Sequence, residues 1–179
     1  PPLIEYYNNV PYEVIRLNEN GGHKVFWENP IFEKYRDKFY IISDPDIEPV
    51  DECPNDFVEV FFELLKKYSF VRKVGFSLKI DDIPQKSVFA SQIVKWEKEF
   101  YKTKIARDNI YYAGIDTTFA LYVPDKLAYS LNFYSAFRTV FPYQARHLPW
   151  YKTSEMITEE DVFYSEHKSN GWWDNAKGE

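Results

Sequence analysis

The segment Phe39-Tyr40-Ile41-Ile42-Ser43-Asp44-Pro45-Asp46 constrains this chain more than any other, because an apolar run of strand character stops abruptly in two carboxylates. Side chains alternate along a strand, so Asp44 and Asp46 point to one face if the extended path continues through Pro45. Proline favours that path by fixing its own φ and steering the preceding residue away from the α region. Two hard oxygen donors then stand side by side at the carboxyl end of a strand, where open α/β sheets bind ligands. Such a pair suits Mg²⁺ or Mn²⁺ carrying a diphosphate, since these ions take oxygen donors and are held by one or two carboxylates together with substrate phosphates. The same tripeptide also suits a plain turn after a strand.

At 179 residues, 45% hydrophobic and 20% aromatic, the chain has ample material for a core and is not disordered. A net charge of -6 excludes general binding to nucleic acid, which needs a basic surface, but leaves room for an anionic nucleotide where a metal supplies positive charge. A lone cysteine, Cys53, excludes an internal disulfide and a cysteine-rich zinc site. No apolar run is long enough to span a membrane and no signal peptide is visible. The expected location is cytoplasmic or peripheral to a membrane. The chain begins at Pro1 without an initiator Met, so processing or truncation can account for the missing leader.

Strand and helix patterns alternate. A helix tail is expected over Pro1 to Asn9, a strand over Tyr12 to Leu17, and a glycine loop over Asn18 to His23. Two short helical pieces follow, split by Pro30. A helix from about Pro54 to Tyr68 has acids near its start and Lys66-Lys67 near its end, and its apolar residues cover more than one stripe, so both sides should be covered. Val71 to Ile80 reads as one strand ending in Asp81-Asp82. Ser87 to Lys102 reads as an amphipathic helix with Lys95, Glu97, Lys98 and Glu99 on a solvated face. Ile110 to Val123 reads as a long β-prone run, with Gly114 at a bend and Asp116 in mid-strand, where a buried carboxylate would be costly without a partner or a cleft. Pro124 to Thr139 is indistinct, Phe141 to Tyr151 is aromatic loop, and Thr158 to Asp161 forms a variant capping box before a short helix.

This order describes an α/β domain, and at this level the chain resembles the GT-A glycosyltransferases, specifically small bacterial proteins of the family-two kind. The resemblance runs through Asn18-Glu19-Asn20-Gly21-Gly22-His23, Tyr40 to Ile47 with its D-x-D, Lys73 to Pro84, Ile115 to Tyr122, and Arg146-His147-Leu148-Pro149-Trp150-Tyr151. It implies a mixed sheet flanked by helices that lacks its first strand or strands, with a GT-A-like domain over 1–151 and a helical, aromatic tail over 152–179. It further implies metal-dependent transfer of a sugar from a nucleotide-diphosphate sugar to a carbohydrate or glycoconjugate acceptor, with inversion. Asp46 would be the direct metal ligand and Asp44 would act through the ribose or a water on the metal. His147 looks like a C-terminal metal ligand, or is an aromatic-cluster histidine. Asn20, Gly21, Gly22 and His23 would lie near the diphosphate, though His23 also suits a plain loop. The catalytic base is Asp116 or the Asp81-Asp82 pair, of which Asp82 is the main competitor.

Asp81 and Asp82 are expected to face the same cleft as Asp44 and Asp46. The tryptophans at 96, 150, 172 and 173 are candidate sugar-stacking faces, with Trp96 better suited to the core. A non-catalytic carbohydrate- or nucleotide-binding module is the alternative from another class. A two-metal phosphohydrolase finds no further His or Asp cluster to support it.

Overall fold

The computed structural model describes residues 3–87, 90–124 and 134–167. Among them nine short strands, β1 (Tyr40–Ile42), β2 (Ile47–Pro49), β3 (Lys73–Gly75), β4 (Ser77–Leu78), β5 (Lys104–Ile105), β6 (Ile110–Tyr112), β7 (Ala120–Tyr122), β8 (Ala136–Arg138) and β9 (Gln144–His147), make two mixed sheets. The larger has the order β1-β7-β3-β8-β6-β5 and the smaller the order β2-β9-β4. The α-helices are α1 (Ile4–Asn9), α2 (Val25–Glu28), α3 (Phe57–Lys67), α4 (Ala90–Glu97) and α5 (Glu159–His167). The α/β class is as expected.

One relationship between the sheets positions everything that follows. β7 is antiparallel to both β1 and β3, and β3 is parallel to β8, so β1, β3 and β8 run in one direction. After each of these three strands the chain leaves the large sheet for the small one: β1 leads into β2, β3 into β4 and β8 into β9. A seam between the sheets thus collects three carboxyl strand ends. β7, running the other way, begins at the same seam.

The large sheet is covered differently on its two faces. Val74 is in register with Leu121 and Phe137, and these residues join Phe61, Leu64 and Leu65 of α3 in one core. Burying an aliphatic or aromatic side chain of this size contributes about 1.5–3 kcal/mol. Alternation sends Tyr40, Lys73, Tyr122 and Arg138 to the opposite face, where Tyr40, Tyr122, Phe32 and Ile115 form a second core with Phe26 and Trp27 packed against it. Tyr40 and Tyr122 stack with centroids 5.0 Å apart.

Several expectations are corrected here. Residues 12–17 form no strand; their side chains are exposed, so no burial rewards an extended pairing there. The Val71–Ile80 run divides at Phe76 into β3 and β4, which belong to different sheets. Beside that break, a Cβ at Gly75 would stand 2.3 Å from the Phe119 carbonyl oxygen, so glycine there lets the chain entering β7 pass close to β3. Ile110–Val123 is likewise two strands, joined by residues 113–119, which cross the large sheet over β8 and β3. Asp116 therefore sits in that crossing and not within a strand. α3 is covered on one side only, with Val58 and Phe62 each 37% exposed. Glu97 leaves the solvated face assigned to it and is buried against Arg138. The aromatic loop contains β9, and the indistinct stretch contains β8, its residues 125–133 lying outside the described residues. The variant capping box is present: Thr158 N–H donates to Asp161 Oδ2 at 2.9 Å and Asp161 N–H to Thr158 Oγ1 at 3.3 Å.

Candidate functional site

Asp44 and Asp46 lie where the chain passes from β1 to β2. The extended path does not continue through them; Pro45 and Asp46 form a turn. Asp44 is held by the crossing segment: its N–H donates to the Thr117 carbonyl at 2.9 Å, and Thr117 Oγ1 donates to its Oδ2 at 2.6 Å. Asp46 is held by β9. Ile47 is in register with His147, Leu148 N–H donates to the Asp46 carbonyl at 2.9 Å, and His147 Nε2 lies 3.4 Å from Asp46 Oδ2. Trp150 meets the His147 ring edge-on at 4.9 Å. Asp116, between the buried residues Ile115 and Thr117, is exposed at the same seam. D-P-D, Asp116 and His147, far apart in sequence, are thus brought together.

The charges at this seam interact. Burial pushes the Asp44 carboxyl up; the Thr117 bond pulls it down, but neighbouring Asp46 and Asp116 add to the rise, and the net shift is upward. Burial also acts to raise Asp46, yet the hydrogen bond and charge of His147, helped by Lys152, hold it below the ordinary carboxylate range. Two neighbouring carboxylates therefore differ, one retaining a proton more readily and one staying ionised. Asp46 Oδ1 and His147 Nδ1 are both buried with no hydrogen-bond partner among the described residues, a state that costs free energy unless a further group is bound. Among the described residues no three His, Cys, Asp or Glu side chains are placed to close on one ion. An ion here would rest on two protein donors, with substrate and water completing its shell.

Asp81 and Asp82 go elsewhere. Asp82 accepts from Arg146 Nη2 at 2.9 Å and from the Tyr151 hydroxyl at 2.7 Å, and Asp81 pairs with Lys79 at 2.6 Å. Arg146 and His147 are consecutive on β9, so they point to opposite faces of the small sheet. The pair on Asp82 and the pair on Asp46 are separated by β9, and the single cleft expected for both acids is not formed. Burial acts to raise Asp82, but its bonds to Tyr151 and Arg146 outweigh it and hold the carboxylate low.

The loop Asn20–His23 is bonded within itself and to α5. Gly22 N–H donates to Asn20 Oδ1 at 2.9 Å and Asn20 Nδ2 to the His167 carbonyl at 3.4 Å. Gly22 has φ 67°, which suits glycine, and His23 is exposed. Trp150 is buried, Trp96 is partly exposed against Phe100, and Trp172 and Trp173 lie outside the described residues. Two open grooves, of about 700 and 890 Å³, run along α3 and α4 and not at the seam.

Sequence reasoning missed Thr117 and Lys73. Thr117 carried no signal beyond its place after Asp116. Lys73 lies in the Val71 to Ile80 run that reads as one strand, yet it is 0% exposed; nothing local announces that another segment will cover it. The chain matches no family model, no curated protein and no solved structure in the comparisons made. No helix among the described residues is long and apolar enough to cross a membrane.

Proposed function

We propose that this chain transfers a sugar from a nucleotide-diphosphate sugar to a hydroxyl of a carbohydrate or glycoconjugate acceptor, with a divalent metal at Asp46 and His147. The observation that supports this best is the Asp46–His147 pair, whose Oδ2 and Nε2 face each other 3.4 Å apart, a separation that an ion bound to both atoms would bridge. An oxygen donor and an imidazole fit Mn²⁺ well and Mg²⁺ through the carboxylate. Bound there, the ion would supply charge neutralisation to a leaving diphosphate. In this reading Asp44, its carboxylate bonded to Thr117, accepts a hydroxyl of the donor. Asp116, exposed at the seam, takes the proton of the acceptor hydroxyl as the new bond forms and the diphosphate leaves.

Calorimetry with Mn²⁺ and a panel of nucleoside diphosphates tests the reading. Binding of the two together is expected, and its loss in Asp46→Asn and in His147→Ala. Equal binding by all three proteins overturns it. Binding without release of sugar from any of a matching panel of nucleotide sugars identifies a non-catalytic binding module instead.

A further inference from the structure

Residues 113–119 cross the face of the large sheet, and two consecutive carbonyls of this crossing are met by buried cations from the strands beneath. Arg138 Nε on β8 donates to the Gly114 carbonyl at 2.7 Å, and Lys73 Nζ on β3 donates to the Ile115 carbonyl at 2.5 Å. The two cations differ in their surroundings. Arg138 is paired with the buried Glu97 of α4 and lies 4.0 Å over the Phe100 ring, so its charge is balanced by a neighbouring carboxylate. Lys73 lies 4.9 Å over the Tyr122 ring, within 3.3 Å of the Tyr122 hydroxyl, and the charge it feels most favourably is that of Asp116.

A wholly buried lysine is costly, and an apolar side chain of equal length would fill the same volume without that cost. Burial pushes Lys73 down to about 7. What the lysine supplies in return is a donor to Ile115, at the base of the turn that delivers Asp116 and Thr117. Thr117 in turn holds Asp44 by two hydrogen bonds. We propose that Lys73 is a positioning residue, which fixes the 115–117 turn through the Ile115 carbonyl and so sets Asp44 and Asp116 at the seam. The inference rests on the preceding reading only in treating the seam as a site; the positioning itself does not depend on metal or nucleotide.

The Asp44 amide, bonded to the Thr117 carbonyl, reports the turn directly. Amide exchange by NMR is compared in the unmodified chain and in Lys73→Met, with the Tyr68 amide, bonded to Leu64 at the end of α3, and the Lys79 amide at the small sheet as internal controls. Faster exchange at Asp44 by about five- to tenfold is expected, the effect of losing one hydrogen bond, with both controls unchanged. Unchanged exchange at Asp44 overturns the proposal, and so does uniform acceleration at all three amides, which marks a merely structural role. Should Lys73→Met fail to fold, the same comparison in Lys73→Gln decides, because the shorter amide side chain loses reach to Ile115; unchanged exchange there overturns the proposal equally. Calorimetry of the unmodified chain with Mn²⁺ and pyrophosphate is run in parallel. Absence of binding in that arm counts against the glycosyltransferase reading and leaves the exchange result on Lys73 standing.

Discussion

Thr117 and Asp44 bind each other twice across 73 positions of sequence, through the Asp44 N–H to the Thr117 carbonyl and the Thr117 hydroxyl to Asp44 Oδ2. The first bond adds a rung beyond the β1–β7 ladder, and the second orients a carboxylate whose burial already raises its pKa. Thr117→Val keeps the shape and removes the hydroxyl. Stability should fall by about 1 kcal/mol, the net contribution of one hydrogen bond, and Asp44 should titrate higher still, because the bond that lowers it is gone. Thermal unfolding and a ¹³C carboxyl titration check both outcomes; an unmoved Asp44 titration contradicts the arrangement.

The buried pair Glu97–Arg138 makes a larger claim on stability. Both side chains are almost inaccessible, 2% and 4% exposed, and Arg138 also satisfies the Gly114 carbonyl. Removing one partner of such a pair strands the other charge in a low dielectric, at about 3–5 kcal/mol. Glu97→Ala should therefore lower the unfolding temperature far more than Glu99→Ala two residues on, whose carboxylate is exposed. Denaturant unfolding of the two variants decides it, and similar losses would show that Arg138 finds another counter-charge.

Asp44, Asp46, Asp116 and His147 stand out as candidates because ionisable groups beside apolar β-prone runs are costly to bury, yet the sequence reads Asp44 to Asp46 as extended and Asp116 as mid-strand, where the chain turns at Pro45 and crosses the sheet over 113–119. The capping box at Thr158 was legible because it is local. Phe76 reads as mid-strand because a change of sheet leaves no mark on alternation. Glu97 reads as part of a solvated face and nothing local marks Lys73 for burial, because burial of a charge is decided by a distant segment, Arg138 in one case and the 113–119 crossing in the other. Tyr12 to Leu17 has strand composition but exposes its side chains, and composition alone does not form a ladder.

Acid should loosen α5 before it unfolds the sheets. Asp161 is buried in part, which acts to raise it, but Lys152 and the Thr158 backbone and hydroxyl outweigh this and hold it at about 2 against an ordinary 3.8. A carboxylate depressed in the folded state stabilises in full above its unfolded pKa, and the contribution is lost as pH falls through the folded one. The window is therefore from about pH 4 down to about pH 2. Amide protection in α5 should decline across that window while protection in α3 persists, and Asp161→Ala should abolish the difference, lowering α5 stability by about 0.5–2 kcal/mol at neutral pH as a lost cap does.

In the proposed reaction the choice of base between Asp116 and Asp82 turns on where each carboxylate stands and on what holds Asp82. Asp82 accepts from Arg146 and Tyr151 and is held below the ordinary range by them, so taking a proton would mean giving up two charge-assisted or strong hydrogen bonds. It also stands across β9 from Asp46. Asp116 is exposed at the seam with Asp44, on the side where Asp46 lies. Loss of a positioned base costs about 10² to 10⁴ in rate while binding made by other groups changes little. With a donor found by the nucleotide-sugar panel, Asp116→Asn should lose turnover in that range with donor affinity retained, whereas Asp82→Asn should keep turnover and lose stability. The reverse pattern assigns the base to Asp82. Near-normal turnover in both variants removes a side-chain base from the reaction and with it the inverting mechanism.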